Sequence, residues 1–143
     1  MTTIAWDGIT LAADSQLNGD FVCRGGVKKV HRVGGDIVAC SGAMEHIMAF
    51  IAWYDPRSGV DDFPSEIKDF TAFVFQSDTG RVMEYGGTPY PWQLFDAPHA
   101  TGSGSPYAMG AMLNGANAKQ AVKIASQLDD ATGGRIYSCN PFG

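Results

Sequence analysis

Basic residues are scarce in this chain: ten Lys and Arg stand against fifteen Asp and Glu, a formal net charge of −5. Binding to a phosphate backbone needs clustered cations that release counterions, so nucleic acid is not an expected partner. Charged residues of both signs make up only 17% of the sequence and hydrophobic ones 45%, which excludes the polar, highly charged signature of disorder. Long apolar runs are also missing. The longest lies around Ile47 to Tyr54, far short of the roughly 20 residues a membrane span requires. The opening MTTIAWDGITLAADS has no basic start and no apolar run of signal-peptide length, and Asp7 and Asp14 interrupt it, so the expected location is the cytoplasm and no membrane is an expected partner. Cys23, Cys40 and Cys139 are odd in number and widely spaced, which fits neither a disulfide framework nor a CxxC zinc site. His31, His46 and His99 have no partner at metal-ligand spacing. Neither a metal nor a cofactor is expected.

What is present fits one domain, residues 1–143, long enough to bury roughly two-thirds of its unfolded surface. The N-terminal half reads as hairpins. Asp7-Gly8 joins Thr2–Trp6 to Ile9–Gln16, and Gly34-Gly35-Asp36 joins Val27–Val33 to Ile37–Ser41, with a loop around Asn18-Gly19-Asp20 between the pairs. Ala43–Tyr54 has helical spacing, and Pro56 stops it. Residues 57–69 read as a loop with at most one helical turn, followed by a third hairpin, Phe70–Ser77 and Arg81–Tyr85, around Asp78-Thr79-Gly80. Three prolines between Thr88 and Pro98 mark an extended loop or edge segment. Ser105-Pro106 then predicts a helix capped by Ser105, and Ala118–Ala131 a second helix stopped by Gly133-Gly134, before a short strand at Arg135–Ser138. Elements grouped in runs indicate α+β with antiparallel sheets. Apolar residues at both parities of several strands indicate sheets covered on both faces, as in two stacked sheets with helices outside each.

Several residues could carry chemistry. Thr2 reads as an ordinary strand start while it is internal. As a chain terminus it offers a hydroxyl nucleophile and an α-amine base on one residue, with an amine pKa already near 7.7–8.0. Lys29 shares its strand face with Val27, His31 and Val33, so it points inward or lies solvated on a twisted edge. If inward, it requires a partner, and it would lower the pKa of a neighbouring amine. Asp14 is either a turn-capping carboxylate or that partner. Gly102-Ser103-Gly104 lacks the Lys of a phosphate loop, and Tyr107 occupies the place of a third dinucleotide glycine. It reads as a turn entering a helix, or as a device presenting Ser103 to a reactive centre. A Cys–His nucleophile built on Cys23 or Cys40 has no local support; buried structural cysteine is the plainer account.

Together these segments resemble a known family. TTIAWDGITLAADSQ, VKKV at 27–30, ATGSGSPYAMGAML at 100–113 and LDDATGGRIY at 128–137 resemble proteasome β-subunits and the bacterial HslV-type peptidases, in order and over nearly the whole chain. The resemblance implies an N-terminal-nucleophile hydrolase: a four-layer α-β-β-α sandwich acting as a threonine peptidase on peptides or unfolded proteins inside a homo-oligomeric ring, with an ATP-dependent unfoldase as a further partner. It implies Thr2 as nucleophile after removal of Met1, Lys29 as the residue tuning its amine and Asp14 as the partner of Lys29. Ser103 would stand beside the amine. Asp129 and Thr132 match the proteasome's Asp and Ser, with Thr in place of Ser, an arrangement the HslV type lacks. The backbone N–H of Gly42 is the expected oxyanion donor, with Cys40 or Ser41 in its place if the HslV alignment holds. Val27, His31, Cys40 and Met44 would line a specificity pocket for uncharged residues.

Three departures are visible. Only residues 43–69 are available where the family has two long helices, so one helical layer is expected to be thinned. No propeptide precedes Thr2, so a free amine would rely on methionine removal. The sequence runs only a few residues past its expected last strand, so no tail for docking an unfoldase is expected. The competing expectations are an inactive ring or scaffold protein that retains Met1, and a non-proteolytic amidase, for which no pocket signature is visible.

Overall fold

The computed structural model describes residues 2–18, 22–23 and 26–143. Met1 and the Gly19-Asp20 part of the expected loop lie outside the described residues. Among the described residues, three antiparallel sheets and three helices make up the fold. The first sheet is built from β1 (Ile4–Trp6), β2 (Leu11–Ala13), β10 (His99–Thr101) and β11 (Tyr137–Cys139), in the order β10-β1-β2-β11. Its hairpin turns at Asp7-Gly8, where the Asp7 carboxylate accepts from the N–H groups of Ile9 and Thr10 and Gly8 takes φ of 100°, open only to glycine at low cost. The second sheet runs in sequence order: β5 (Val30–Val33), β6 (Asp36–Ser41), β7 (Thr71–Phe75), β8 (Val82–Tyr85) and β9 (Trp92–Leu94). A small hairpin, β3 (Leu17–Asn18) with β4 (Val22–Cys23), forms the third.

Burial follows strand parity. Ile4, Trp6, Leu11 and Ala13 pack against Val30, Ile37, Ala39, Phe73, Phe75 and Val82 of the second sheet, with the Trp6 and Phe75 rings edge to face at 4.9 Å. The alternate residues Ala5 and Ala12 face the helices α2 (Ser105–Leu113) and α3 (Ala118–Leu128), through Ala108, Ala118, Ala121, Val122 and Ala125. These small side chains let both helices lie close to the sheet. On the far side of the second sheet, Val38, Cys40, Val74 and Tyr85 meet α1 (Met44–Tyr54), with Phe50 at the centre of an aromatic cluster.

The three turn-marked hairpins form, with strands shorter than the sequence predicts except β6, which begins one residue early at Asp36. As expected from the space available, α1 is the helix between β6 and β7. The predicted cap at Ser105 is corrected: Gly104 is the N-cap and Ser105 the first helical residue. The second C-terminal helix ends at Leu128 instead of Ala131, because the Asp129 carboxylate turns away to accept hydrogen bonds from Ser103 and Thr132. The capping box at its start, Asn117 with Gln120, was not foreseen. The last strand is displaced to Tyr137–Cys139.

Candidate active site

Thr2 lies at the outset of the first sheet; one polar group bonds the adjacent Thr3 and shares a cleft with Thr2, and another bonds the Thr2 nitrogen. The first is a buried ion pair. Asp14 follows β2 directly and is 1% exposed; Lys29 precedes β5 and is 5% exposed. Lys29 Nζ donates to Asp14 Oδ1 at 2.8 Å. The same oxygen accepts from the N–H of Thr3 at 3.0 Å, while Oδ2 accepts from the N–H of Gly133 at 3.0 Å and of Gln16 at 3.4 Å. One buried carboxylate is thus satisfied by a lysine and three backbone donors, the condition for burying such a charge without prohibitive cost. Burial lowers the Lys29 pKa despite the opposing pull of Asp14.

The second group enters from the α2 and α3 side. Ser103 Oγ donates to Asp129 Oδ2 at 2.6 Å, and the N–H of Thr2 donates to Ser103 Oγ at 3.2 Å. Thr132 Oγ1 donates to the same Asp129 oxygen at 2.6 Å. Burial pushes the Asp129 pKa up, but these hydroxyls and the N–H of Ala131 outweigh it and hold the carboxyl below its usual range. Asp129 therefore stabilises the fold above the ordinary carboxylate pKa, and that contribution disappears as pH falls through its lowered folded value. The Tm difference between the wild type and Asp129→Asn is expected to shrink as pH drops below about 4. Thermal melts across that range check this, and a gap independent of pH would contradict it.

Glycines bring the backbone to Thr2. Gly102 has φ of 99°, and a Cβ there would run into the carbonyl oxygen of Thr2, whereas the N–H of Gly104 donates to that oxygen at 3.3 Å. Gly102→Ala must therefore move the loop carrying Ser103. It is expected to cost about 1–3 kcal/mol in urea unfolding from backbone strain alone and to abolish the contact of Ser103 with Thr2. Wild-type stability in this variant would show that the loop has slack.

Two clefts of about 310 Å³ each border Thr2. The first is lined by Val27, Lys29, Met44, Glu45 and Ile47, with Gln16, Leu17 and Asn18 on its other wall; the second by Ser41, Asp69, Thr71, Thr101, Gly102 and Ser103. Gly42 borders both. Its φ of 135° and the backbone of Asp69, 2.9 Å from where a Cβ would sit, reserve the position for glycine. Val27 and Met44 thus stand together beside Thr2. His31 and Cys40 line neither cleft. His31 pairs with Val38, and Val38 and Cys40 belong to the apolar cluster under α1. Burial drives the Cys40 thiol pKa well above the range in which it could act as a thiolate, and it lowers the pKa of His31. Sequence reading did not single out Thr3 or Gln16, whose side chains meet Thr132 and the carbonyl of Asp130 more than a hundred residues away in the chain. No group of His, Cys, Asp and Glu that could hold a metal ion occurs among the described residues, and no helix among them is long and apolar enough to cross a membrane.

No protein-family model matches the chain, and no curated protein matches it by sequence. Solved structures do match. BPH of Thiobacillus denitrificans superposes with a TM-score of 0.68 at 19% identity, covering 96% of this chain and 95% of that one. Its complex with epoxomicin gives 0.68 at 20%, covering 96% of each. Eukaryotic HslV from Trypanosoma brucei gives 0.68 at 15% identity, covering 96% of this chain and 97% of that one. The fold is therefore that of these HslV- and BPH-type structures along almost its full length.

Proposed function

We propose that the chain is a threonine peptidase of the proteasome β-subunit and HslV type, a single domain over residues 1–143 that uses Thr2 as its nucleophile. The observation that carries this reading is that the Thr2 nitrogen bonds Ser103 of the Ser103–Asp129–Thr132 cluster, while Lys29 of the Lys29–Asp14 ion pair lines one of the two clefts that border Thr2. The likeness to a structure solved with epoxomicin supports it further. The three apolar clusters, one between the sheets and one under the helices on each side, support a four-layer α-β-β-α sandwich with a thinned layer at α1.

In this mechanism the Thr2 hydroxyl oxygen adds to the peptide carbonyl carbon while its proton passes, directly or through a water, to the α-amine. Collapse breaks the C–N bond, and the leaving amine takes that proton. The ester left on Thr2 is then hydrolysed by a water that the same amine deprotonates. Lys29 keeps the amine unprotonated near neutral pH by charge repulsion. Ser103, held by Asp129, orients it. The Gly42 N–H is assigned to the developing oxyanion and the Val27–Met44 cleft to the substrate side chain. By analogy with the same folds, the active sites would face the interior of a homo-oligomeric ring in the cytoplasm, fed with unfolded protein by an ATP-dependent partner.

All of this requires a free α-amine on Thr2. Intact mass measurement of purified protein, with and without a threonine-directed electrophile, is expected to show loss of Met1 and a single covalent adduct. A population that wholly retains Met1 and takes up no adduct would instead support a non-catalytic scaffold.

A further inference from the structure

Thr3 is the point at which the two halves of the site are tied together. Its side chain is fully buried, its N–H donates to the same Asp14 oxygen that Lys29 holds, and its hydroxyl lies 2.7 Å from Thr132 Oγ1. The direction of that last bond follows from proton counting. Thr132 has one hydroxyl proton and donates it to the Asp129 carboxylate. The bond between the two threonines must then be donated by Thr3. Ser103 likewise gives its proton to Asp129 and so receives the N–H of Thr2 as an acceptor. Every hydroxyl in the series is thereby oriented: Thr3 to Thr132, Thr132 to Asp129, Ser103 to Asp129, and Thr2 nitrogen to Ser103. The slot for the Thr3 hydroxyl is built, since a Cβ on Gly104 would collide with it and Thr132 Oγ1 bonds it.

We infer that Thr3 is a positioning residue for the reaction, whose hydroxyl fixes the Thr132–Asp129–Ser103 series and so the pose and basicity of the Thr2 amine; this rests on the peptidase reading above. Without the Thr3 proton, Thr132 Oγ1 is left as an unsatisfied buried acceptor and, no longer polarised by that bond, donates more weakly to Asp129. Asp129 is then less well neutralised and presents more negative charge to Ser103, which favours the protonated amine.

The test compares Thr3→Val, which keeps the shape and removes the hydroxyl, with Thr3→Ser, which keeps the hydroxyl. For Thr3→Val, kcat on short fluorogenic peptides is expected to fall about tenfold, the worth of one hydrogen bond, with KM changed less than about twofold. The acidic limb of its pH profile should move to higher pH. Thr3→Ser should recover most of the loss. Wild-type kcat and pH profile in Thr3→Val would overturn the inference, as would equal impairment of Thr3→Ser. If the valine does not fold, Thr3→Ala, which cannot overpack the slot, carries the same comparison. A wild type that has a free Thr2 yet cleaves nothing would defeat the peptidase reading alone. The pH dependence of Thr2 amine acylation would then decide the role of Thr3, and a midpoint unchanged by Thr3→Val would refute it.

Discussion

Thr2→Ala is expected to reduce peptide hydrolysis and labelling by threonine-directed electrophiles to background, a loss of at least about 10⁴-fold in kcat on the scale of nucleophile deletions in other hydrolases. The fold should survive. The bonds holding this end of the chain are made by the backbone: the nitrogen of Thr2 to Ser103, the N–H of Gly104 to the carbonyl of Thr2, and the reciprocal pairing of Thr3 with Asp14. Alanine keeps all of these. Equal Tm values with activity absent would locate the loss in the chemistry. Thr2→Ser, which restores a hydroxyl on the same amine-bearing residue, should return a large part of the rate. Retained hydrolysis in the alanine variant would mean that another group attacks the carbonyl. Cys40 is a poor candidate, because its thiol is fully buried, its pKa is raised and it lies outside both clefts.

The sequence reveals these features unevenly, and the reasons are physical. The hairpins around Asp7-Gly8, Gly34-Gly35 and Asp78-Thr79-Gly80 are legible because turn chemistry is local: it depends on positive φ and on side chains bonding their own neighbours. Strand β10 is not, since three residues cannot display an alternation and its only rationale is pairing with β1 across almost a hundred residues. The same holds for the β3–β4 hairpin, two residues a side. Helix α3 shows the opposite case, in which a helical pattern continues past the true end because Asp129 serves the site instead of the helix. At the site, parity alone leaves Lys29 either inward or solvated on a twisted edge, and the structure buries it. Its pairing with Asp14 required the two sheets to be stacked. For His31 and Cys40, parity gives the opposite result from the resemblance. His31, Val38 and Cys40 share the sheet face turned toward α1, and that face is filled with apolar side chains.

The ion pair offers the other large effect, and its two partners are not equivalent. Removing one member of a buried pair costs about 3–5 kcal/mol, mostly through the charge left behind. Lys29→Met removes the ammonium but leaves Asp14 with the N–H groups of Thr3, Gly133 and Gln16, so its loss should fall at the lower end of that range. Asp14→Ala deprives the ammonium of its carboxylate and simultaneously orphans three backbone donors, two of them buried, so it should cost the most. Urea unfolding of both variants measures the difference; a smaller loss for Asp14→Ala would mean that water enters to replace the carboxylate. Activity separates the chemical role from the structural one. A positive charge near the Thr2 amine lowers the amine's pKa, so its removal in Lys29→Met raises that pKa and leaves the base protonated at neutral pH. The surviving activity of Lys29→Met is therefore expected to rise toward alkaline pH, while Lys29→Arg, which keeps the charge, should hold the wild-type midpoint even if it packs poorly. A uniform loss at every pH in Lys29→Met would make the lysine a strut for Asp14 and nothing more.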